Sequence, residues 1–282
     1  MKTYLLIFAF CCSLSCTLLA DVAVEATAHV PDQFNEKSND PKWLYSKETI
    51  GQTFLPSAAK ISFLSVYIFR LETKEANVTP YKGPAPLTLK LWPFKESLEK
   101  AKSDPPSASC SDESAFDVGH DKFFEVNKEV EAGQKYYFEL STQETPAPCY
   151  YYTCQYGGAP YAGGEFYKSG NPWNGSALRF KTYCPVKLES NTVIESKIPE
   201  IIEIRFDKKV DKNNVKAFVA GPCGTIKIDK HWKNANTLLL QGKIPTYPAD
   251  EAVYKTYVSF PDPDNGVCQV QVFTFSYKKA QK

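Results

Sequence analysis

Residues 122–140, KFFEVNKEVEAGQKYYFEL, hold two short apolar stretches on either side of a chain breaker, and this pattern decides the fold class. In the second stretch Tyr136, Phe138 and Leu140 share one face of an extended strand, because successive side chains point to opposite faces. The breaker Ala132-Gly133-Gln134 separates the two stretches. Comparable stretches occur at residues 61–69, 87–91 and 177–183. Strands this short and this regularly interrupted predict an all-β sandwich or barrel rather than a βαβ sheet.

The pattern restarts after Tyr183-Cys184-Pro185, which predicts a domain boundary at this point. Beyond it, Ile202, Ile204 and Phe206 share one face of a predicted strand. Further strands are predicted at residues 237–240, 253–260 and 267–277. About 100 residues with several such strands is the size of an immunoglobulin-like sandwich. In the last strand the apolar face changes after Val272, which predicts a β-bulge.

Two segments depart from the strand pattern. Residues 21–44 are polar and are expected to form an irregular N-terminal arm or edge segment. Residues 94–102, FKESLEKAK, are predicted to form a short helix that Asp104-Pro105-Pro106 ends. The expected order is therefore the irregular segment 21–44, a first β-sandwich over residues 45–183 and a second over residues 184–282.

The first 20 residues have the composition of a secretory signal peptide. Lys2 gives a short basic start, residues 4–12 are apolar, and the chain becomes polar after Ala20, the expected cleavage position. Polar residues interrupt the apolar run, so it is short for a membrane span. An uncleaved anchor, or a bacterial lipid anchor at Cys16, is the alternative. The expected location is secreted or at the cell surface.

Charge excludes some classes of partner. Without the leader the chain carries 32 basic and 32 acidic residues, so it has no chain-wide attraction to nucleic acid or to an anionic membrane. Residues 21–183 carry 17 basic and 21 acidic residues, a balance of −4, whereas residues 184–282 carry 15 and 11, a balance of +4. Opposite balances favour packing between the two domains, although exposed charges contribute little.

Six cysteines remain after the leader, and an even number in an oxidising compartment favours disulfides over metal ligands. Six cysteines allow 15 pairings. The preferred set is Cys149–Cys154, Cys223–Cys268 and Cys110–Cys184. Two sequons, at Asn77 and Asn174, are candidate glycosylation sites on surface loops.

Six stretches of the first predicted domain carry a resemblance to a known type of module. They are IGQTF (50–54), LSVYI (64–68), GPAPLTLKL (83–91), EAGQKYYF (131–138), YAGGEFY (161–167) and LRFKTY (178–183). Together they resemble the jelly-roll of galactose-binding-like, carbohydrate-binding-module-type domains that are appended to secreted proteins. The resemblance covers residues 45–183. It implies a non-catalytic module and assigns no ligand.

The second predicted domain resembles the bacterial-type immunoglobulin-like domain of cell-surface proteins. Residues 199–215, PEIIEIRFDKKVDKNNV, match the opening strand and acidic turn of that family, and residues 254–260, 262–266 and 273–275 match its closing hairpin. Cys223 and Cys268 are not typical of the family. This resemblance also implies a non-catalytic module.

Residues 149–173 combine aromatic side chains with glycines, asparagines and a glutamate, which are the ingredients of a glycan-binding site. Aromatic faces stack on sugar rings, while amide and carboxylate groups bind sugar hydroxyls. The candidate ligand-binding residues are Tyr151, Tyr156, Tyr161, Glu165, Tyr167, Asn171 and Trp173. The preferred interpretation of the segment, however, is that the tyrosines fill the core of the sandwich while the glycines turn the chain. A glycan on Asn174 would also cover the loop beside Trp173.

No resident cofactor is expected, but a structural calcium ion is a candidate. Jelly-roll modules of the resembled type often bind calcium, and Asp117, Asp121 and Glu125 are candidate ligands. Residues 262–266, DPDNG, space oxygen ligands like a fragment of a calcium loop. Asp-Asn-Gly is also a hairpin-turn signal, and the turn is the preferred interpretation.

No nucleophile elbow, zinc-protease helix or phosphate loop is present in the sequence, and His120 and His231 are interpreted as surface or half-buried side chains. We therefore expect a secreted, non-catalytic protein whose jelly-roll binds an extracellular glycan or a cell-surface protein. One alternative is a structural or adhesion protein that binds another protein, which a contiguous exposed apolar patch without an aromatic groove would favour. The other is a hydrolase on a β scaffold, which requires paired carboxylates or a Ser/His pair in one cleft.

Overall fold

The computed structural model of the chain describes residues 22–279 except residues 38, 46, 71–78, 80, 112–114, 144–146, 148–149, 157–160, 190–191, 196, 247–250 and 265. The predicted signal peptide, the Asn77 sequon and Cys149 therefore lie outside the described residues. Within them the chain is nearly all β, with several antiparallel sheets, so the predicted all-β sandwich class is confirmed.

In chain order the strands are β1 Val24–Asn35, β2 Asp40–Leu44, β3 Thr49–Phe54, β4 Lys60–Arg70, β5 Leu87–Pro93, β6 Ala108–Ser111, β7 Phe116–Val118, β8 Asp121–Glu129, β9 Tyr136–Thr142, β10 Tyr150–Tyr156, β11 Phe166–Lys168, β12 Asn171–Pro172, β13 Ser176–Leu178, β14 Phe180–Lys187, β15 Thr192–Glu195, β16 Ile201–Phe206, β17 Lys216–Gly221, β18 Gly224–Ile226, β19 Asp229–Trp232, β20 Thr237–Gln241, β21 Glu251–Pro261 and β22 Cys268–Lys278. The helix α1 spans Leu98–Lys102, and a short 3-10 helix spans Lys212–Asn214.

These strands form three sheets. The largest has eleven strands and runs β13-β10-β4-β14-β1-β16-β20-β19, with β2 beside β10 and with β8 and β7 beyond β4. A six-stranded sheet has the order β12-β11-β3-β9-β5-β6, and a five-stranded sheet has the order β15-β22-β21-β17-β18. The large sheet therefore belongs to both halves of the chain.

Two hydrophobic cores lie between these sheets. The first unites side chains of the six-stranded sheet with those of β4, β8 and β10, and Phe54, Phe124, Phe138 and Phe180 expose at most 1% of their surface there. The second unites the five-stranded sheet with β1, β16 and β20, around Phe206 and Phe260. Alternating side chains of each strand supply both cores, as the period of two requires.

Strand β1 corrects the expectation that residues 21–44 are irregular. It pairs antiparallel with β14, where Val30 lies opposite Cys184, and with β16, where Ala26 lies opposite Ile204. Its small apolar side chains, Ala26 and Ala28, are buried in the second core. The polar composition of the segment misled the prediction, because only one face of this strand needs to be apolar. The predicted boundary at residue 183/184 falls inside β14.

The eleven-stranded sheet curls so that β7, the outer strand of the branch beyond β4, approaches β19 at the end of the main path. Phe116 on β7 stacks on His231 of β19 with 5.2 Å between ring centroids, and Glu125 on β8 pairs with Lys233, just after β19, over 2.5 Å. A third apolar cluster fills the concave face between these ends. Its buried members are Phe63, Phe116, Phe123, Tyr183, Ile201 and Leu239.

The predicted helix is present but shorter than residues 94–102. Ser97 caps it by accepting a hydrogen bond from the backbone nitrogen of Lys100 over 3.2 Å. Lys102 donates to both carboxylate oxygens of Glu139 on β9, over 3.0 and 2.8 Å. The helix is thereby fixed to the outer side of the six-stranded sheet.

The predicted bulge after Val272 is wrong. Strands β21 and β22 pair without a register shift from Glu251 opposite Lys278 to Pro261 opposite Cys268. The apolar face changes in the sequence because β22 is apolar on both sides. Phe275 is fully buried, whereas Val272 exposes 46% of its surface.

The two described disulfide predictions are not borne out, since Cys110, Cys184, Cys223 and Cys268 are free thiols. Cys110 packs against the first core and Cys184 against the second. Cys223 follows β17 beyond Ala220, which lies opposite Lys255 on β21, whereas Cys268 lies opposite Pro261. Six residues of strand separate those two positions, roughly 20 Å, and a disulfide needs Cα atoms within about 7 Å. The pairing Cys149–Cys154 falls on a residue outside the described set.

Candidate functional site

The described tyrosines of β10 point into the first core rather than into a groove. Tyr150 and Tyr152 are buried members of that core. The hydroxyl of Tyr150 donates a hydrogen bond to the carbonyl oxygen of Ala85 over 2.6 Å. The side chains of Tyr151 and Tyr156, two predicted ligand-binding residues, lie outside the described part. The tyrosines that are described on this strand therefore stabilise the sandwich.

Tyr167 is also buried, with Trp92 and Tyr137, in a small cluster on the outer side of the six-stranded sheet. Its hydroxyl donates to Oε2 of Glu165 over 2.8 Å. Burial and this carboxylate raise the pKa of Tyr167 well above its usual value. The structure thus brings Glu165 and Tyr167 together, but their hydrogen bond stabilises the outer side of the six-stranded sheet and forms no binding site.

Trp173 and Tyr161 are half-buried at the edge of the first core. The ring of Trp173 stacks on Phe166 with centroids 5.7 Å apart, and the Lys168 ammonium lies 5.3 Å from the Trp173 centroid. Tyr161 donates to Oε1 of Gln33 over 2.8 Å, and burial raises its pKa to about 12. Both rings thus have packing partners within the sandwich.

Asn171 and Glu165 are the exposed members of the predicted set, and Asn171 donates to the carbonyl oxygen of Ser169 over 3.2 Å. The described aromatic rings of this segment therefore form no open row on which a sugar could stack. The Asn174 sequon is exposed in the turn that follows Trp173.

The predicted calcium ligands of the β7–β8 hairpin do not converge. Asp117 pairs with Lys122 over 3.4 Å, and Glu125 pairs with Lys233. Burial raises the pKa of Asp121, against the opposing effect of Arg179 and Lys181. Within the described ranges, no group of three or more His, Cys, Asp or Glu side chains is arranged to hold a metal ion.

Asp262 begins a turn, in agreement with the preference for a hairpin turn over a calcium loop at residues 262–266. Its Oδ1 accepts from the backbone nitrogen of Asp264 over 2.8 Å, and its Oδ2 accepts from Nε2 of Gln269 over 2.6 Å. The backbone nitrogen of Gly266 donates to the Asp262 carbonyl oxygen over 2.8 Å. Both carboxylate oxygens of Asp262 are thereby used within the turn.

A buried polar cluster around His29 was not predicted from the sequence. His29 lies on the face of β1 that points into the concave side of the curled sheet. Its Nδ1 is 2.8 Å from Oγ of Ser62, and its Nε2 is 4.0 Å from Oε2 of Glu203. Glu203 also lies 3.7 Å from Lys233 and 3.1 Å from Arg205. Burial, and then the charge of Lys233, lowers the pKa of His29 to about 3.

The set Ser62, His29 and Glu203 has the residue types of a catalytic triad, but its hydrogen bonds run in the wrong direction. The Ser62 hydroxyl donates to the carbonyl oxygen of Tyr183 over 3.0 Å, so it accepts from Nδ1–H of His29. A general base must instead accept the serine proton. Ser62 is also 1% exposed, so its hydroxyl does not reach solvent. Nε2 of His29 has no hydrogen-bond partner among the described residues, so no part of the cluster positions this imidazole as a base.

The outer face of the five-stranded sheet carries an exposed apolar surface that crosses three strands. Phe218 on β17 lies opposite Tyr257 on β21, and Tyr257 lies opposite Val272 on β22. The rings of Phe218 and Tyr257 stack with centroids 4.8 Å apart and 16° between their planes. We call these three residues the apolar row. Val270, one position along the same face, exposes 60% of its surface.

One lysine lies on each side of the apolar row along the strand direction. Lys216 precedes Phe218 by two residues on β17, and Lys255 precedes Tyr257 by two residues on the antiparallel β21. Both lysines are exposed. Neither makes an ion pair with a carboxylate among the described residues, whereas Lys278 at the far end of the sheet pairs with Glu251 over 3.8 Å.

The sequence carries a signal for this surface in its last strand. In residues 268–277, CQVQVFTFSY, apolar residues alternate on one face up to Val272 and on the other from Phe273. A two-sided apolar strand in an antiparallel sheet implies that one face is exposed, because only the other face meets the core.

No family model and no curated protein matches the chain. Among solved structures, CopC from Methylosinus trichosporium OB3b is similar at 14% identity and a TM-score of 0.26, over 33% of this chain and 89% of that one. A DUF4785 family protein from Legionella pneumophila aligns at 13% identity and a TM-score of 0.24, over 93% and 67%.

A third solved structure, the BSP domain of a biofilm-associated protein, aligns at 10% identity and a TM-score of 0.18, over 92% of this chain and 52% of that one. Similarities with TM-scores of 0.26 and below carry no argument about function. They confirm neither the jelly-roll nor the immunoglobulin-like family. In the described part of the chain, no helix has the length and apolar character needed to cross a membrane.

Proposed function

We propose that this chain is a non-catalytic binding protein that contacts another protein through the outer face of its five-stranded sheet. The observation that carries the proposal is the apolar row, where Phe218 and Val272 expose 40% and 46% of their surface. A contiguous apolar surface on a β-sandwich costs solubility, and such surfaces mark interaction sites. Aromatic side chains at the centre are also typical of protein interfaces.

Glycan binding through residues 149–173 is less well supported than protein binding. Tyr167 is buried, and Trp173 stacks on Phe166. A sugar would therefore meet ring edges in this segment, whereas the stacked rings of the apolar row lie in an exposed sheet face. The contrast favours the adhesion alternative over the glycan hypothesis.

The absence of catalysis remains part of the proposal. It is supported by the direction of the Ser62 hydrogen bond and by the burial of His29 and Ser62. The leader pattern of residues 1–20 supports a place of action outside the cytoplasm. Amino-terminal sequencing of the protein recovered from the medium or cell surface tests that location, since cleavage after Ala20 is expected.

Site-specific photo-crosslinking tests the docking surface. The full chain is produced in its native cells with a photoreactive phenylalanine analogue in place of Tyr257, and adducts are identified by mass spectrometry. We expect one recurrent protein adduct, competed by the unmodified chain but not by a Phe218→Ser, Val272→Ser variant. The matched control carries the analogue in place of Leu55, an apolar residue that is 41% exposed on the other sandwich.

Equal adducts at positions 257 and 55 would contradict the proposal, as would a chain that competes equally well with and without the two serines. A glycan array tests the competing hypothesis, in which residues 149–173 bind a glycan. Binding there that disappears with Trp173→Ala and persists with Phe218→Ser would favour the glycan hypothesis instead.

A further inference from the structure

The charges beside the apolar row define the chemistry of its partner, an inference that rests on the proposed function. On β21, Lys255, Tyr257 and Ser259 occupy alternate positions on the outer face, and Ser259 lies opposite Lys216 on β17. Along the strand direction the outer face therefore presents the positive charge of Lys255, then the apolar row, and then the positive charge of Lys216. Four residues of strand and one neighbouring strand separate the two lysine Cα atoms, roughly 14 Å.

Neither lysine is neutralised by a carboxylate in the part of the chain that the structure describes. Among the described residues no carboxylate lies within ion-pair distance of Lys216 or Lys255, although Glu251 and Lys278 pair on the same face. A second copy docked by the same face would place ammonium groups near ammonium groups, and like charges across an interface are unfavourable. The charges thus select against self-association.

We propose that the apolar row binds an extended segment of an acidic partner protein, with carboxylates at positions i and i+4 and a large apolar side chain at i+2. In an extended segment these three side chains point to one face. Their ends lie roughly 13 Å apart at about 3.3 Å per residue, which matches the spacing of the two lysines. Laid along β21, such a segment packs its apolar side chain on Phe218 and Tyr257.

Sheet-on-sheet packing supplies the geometry for this contact. Two sheets stack about 10 Å apart with their strands within about 30° of each other, so a partner strand follows β21 over the length of the row. The apolar contact gives the affinity, and the two lysines set register and orientation, because charges contribute more to specificity than to strength.

A pair of designed peptides tests this inference on the full chain. Each is a cyclised β-hairpin whose outer face carries three alternate side chains, either Glu-Phe-Glu or Lys-Phe-Lys, with threonine between them. Fluorescence anisotropy measures binding. We expect the acidic hairpin to bind at least about tenfold more tightly than the basic one at low salt, and the preference to shrink as salt is added.

Protein variants decide whether the preference arises at these two lysines. In Lys216→Glu, Lys255→Glu the preference should reverse in favour of the basic hairpin. The matched control, Lys230→Glu, changes an exposed lysine on β19 of the other sheet and should keep the wild-type preference. Circular dichroism confirms that each variant is folded.

The outcomes separate this inference from the function on which it rests. If neither hairpin binds, or if the double variant keeps the preference for the acidic one, the acidic partner is wrong. The proposal that this face docks a protein is then still supported if the photoreactive analogue at position 257 crosslinks to a protein partner. If position 257 also gives no selective adduct, both proposals fail. Crosslinking of Tyr257 to a second copy of this chain would likewise overturn the acidic partner.

Discussion

At the scale of single residues, the described thiols differ in their surroundings. Cys223 and Cys268 are exposed, and Sγ of Cys268 lies 3.1 Å from the hydroxyl of Ser259. Cys110 packs against the first core, where burial, and then the charge of Glu125, raises its pKa to about 12. Thiol reactivity follows the fraction of thiolate and its access to solvent, so these cysteines are expected to react at different rates.

We therefore predict that a maleimide reagent at neutral pH labels Cys223 and Cys268 in the native protein at least about tenfold faster than Cys110. Mass spectrometry of peptides after timed labelling measures the three rates. Cys223→Ser and Cys268→Ser variants confirm the assignments. If neither Cys223 nor Cys268 is labelled without a reductant, they are oxidised and the free thiols of the structure are wrong.

His29 predicts how the stability of the protein depends on pH. Its pKa is about 3 in the folded protein and about 6.5 in an unfolded chain. Between these values the unfolded state binds the extra proton, so the stabilising contribution of neutral His29 is complete above about pH 6.5. It is lost as the pH falls towards 3, with a slope of up to about 1.4 kcal/mol per pH unit.

Urea unfolding at pH 7, 6, 5 and 4 measures this slope. The variant His29→Gln keeps a hydrogen-bonding group near Ser62 but cannot titrate, so its free energy of unfolding should fall less steeply with acid. The control His231→Gln changes an exposed histidine and should keep the wild-type slope. Equal slopes for all three proteins would show that His29 does not titrate on unfolding.

At the scale of strands, the sequence predicts faces more reliably than neighbours. The alternation of Tyr136, Phe138 and Leu140 places β9 correctly, with its side chains in the first core. The alternation in β22 was visible as well, but its meaning depended on whether β21 lies beside it without a register shift. Periodicity describes one strand alone, whereas a bulge is a property of a pair of strands.

Strand β1 shows a second limit of prediction from periodicity. Val24, Ala26, Ala28 and Val30 alternate with more polar residues, which is a strand pattern of small side chains. It was overlooked because weakly apolar residues give a weak signal. The same limit applies to the candidate sites. The burial of the β10 tyrosines was predictable from the sequence as core packing. The apolar row was not, because it depends on the register of three strands.

At the scale of the whole molecule, the two sandwiches are not independent in their cores. Val22, Ala26, Ala28 and Val30, from the amino-terminal end of the described chain, lie in the second core with residues from 188 to 277. A fragment that begins at residue 184 lacks all four side chains. It also leaves the edge of β16 without its partner β1.

We predict that residues 184–282 alone do not fold, and that adding a synthetic peptide of residues 22–37 restores the fold. The peptide should act because it supplies the missing strand between β14 and β16. Dispersion of amide signals in the NMR spectrum measures folding. The control peptide carries Ala26→Asp and Ala28→Asp, which places two charges in the core and should abolish the rescue.

If residues 184–282 fold alone with a cooperative thermal transition, β1 is dispensable for the second core. A rescue by the control peptide would equally contradict the role assigned to β1. In the full chain the same dependence predicts that the two cores unfold together rather than in separate steps.

The central position of β1 also constrains the order in which the chain acquires its structure. Val24 pairs with Phe206, and Thr27 pairs with Lys187, so β1 waits for partners that are synthesised about 160 to 180 residues later. At about 5–20 residues per second, that wait lasts on the order of ten seconds or more. Contacts so distant along the chain slow folding. Until they form, the apolar side chains of β1 have no core to pack into and stay exposed. During this time the nascent chain avoids aggregation only if another molecule covers those side chains.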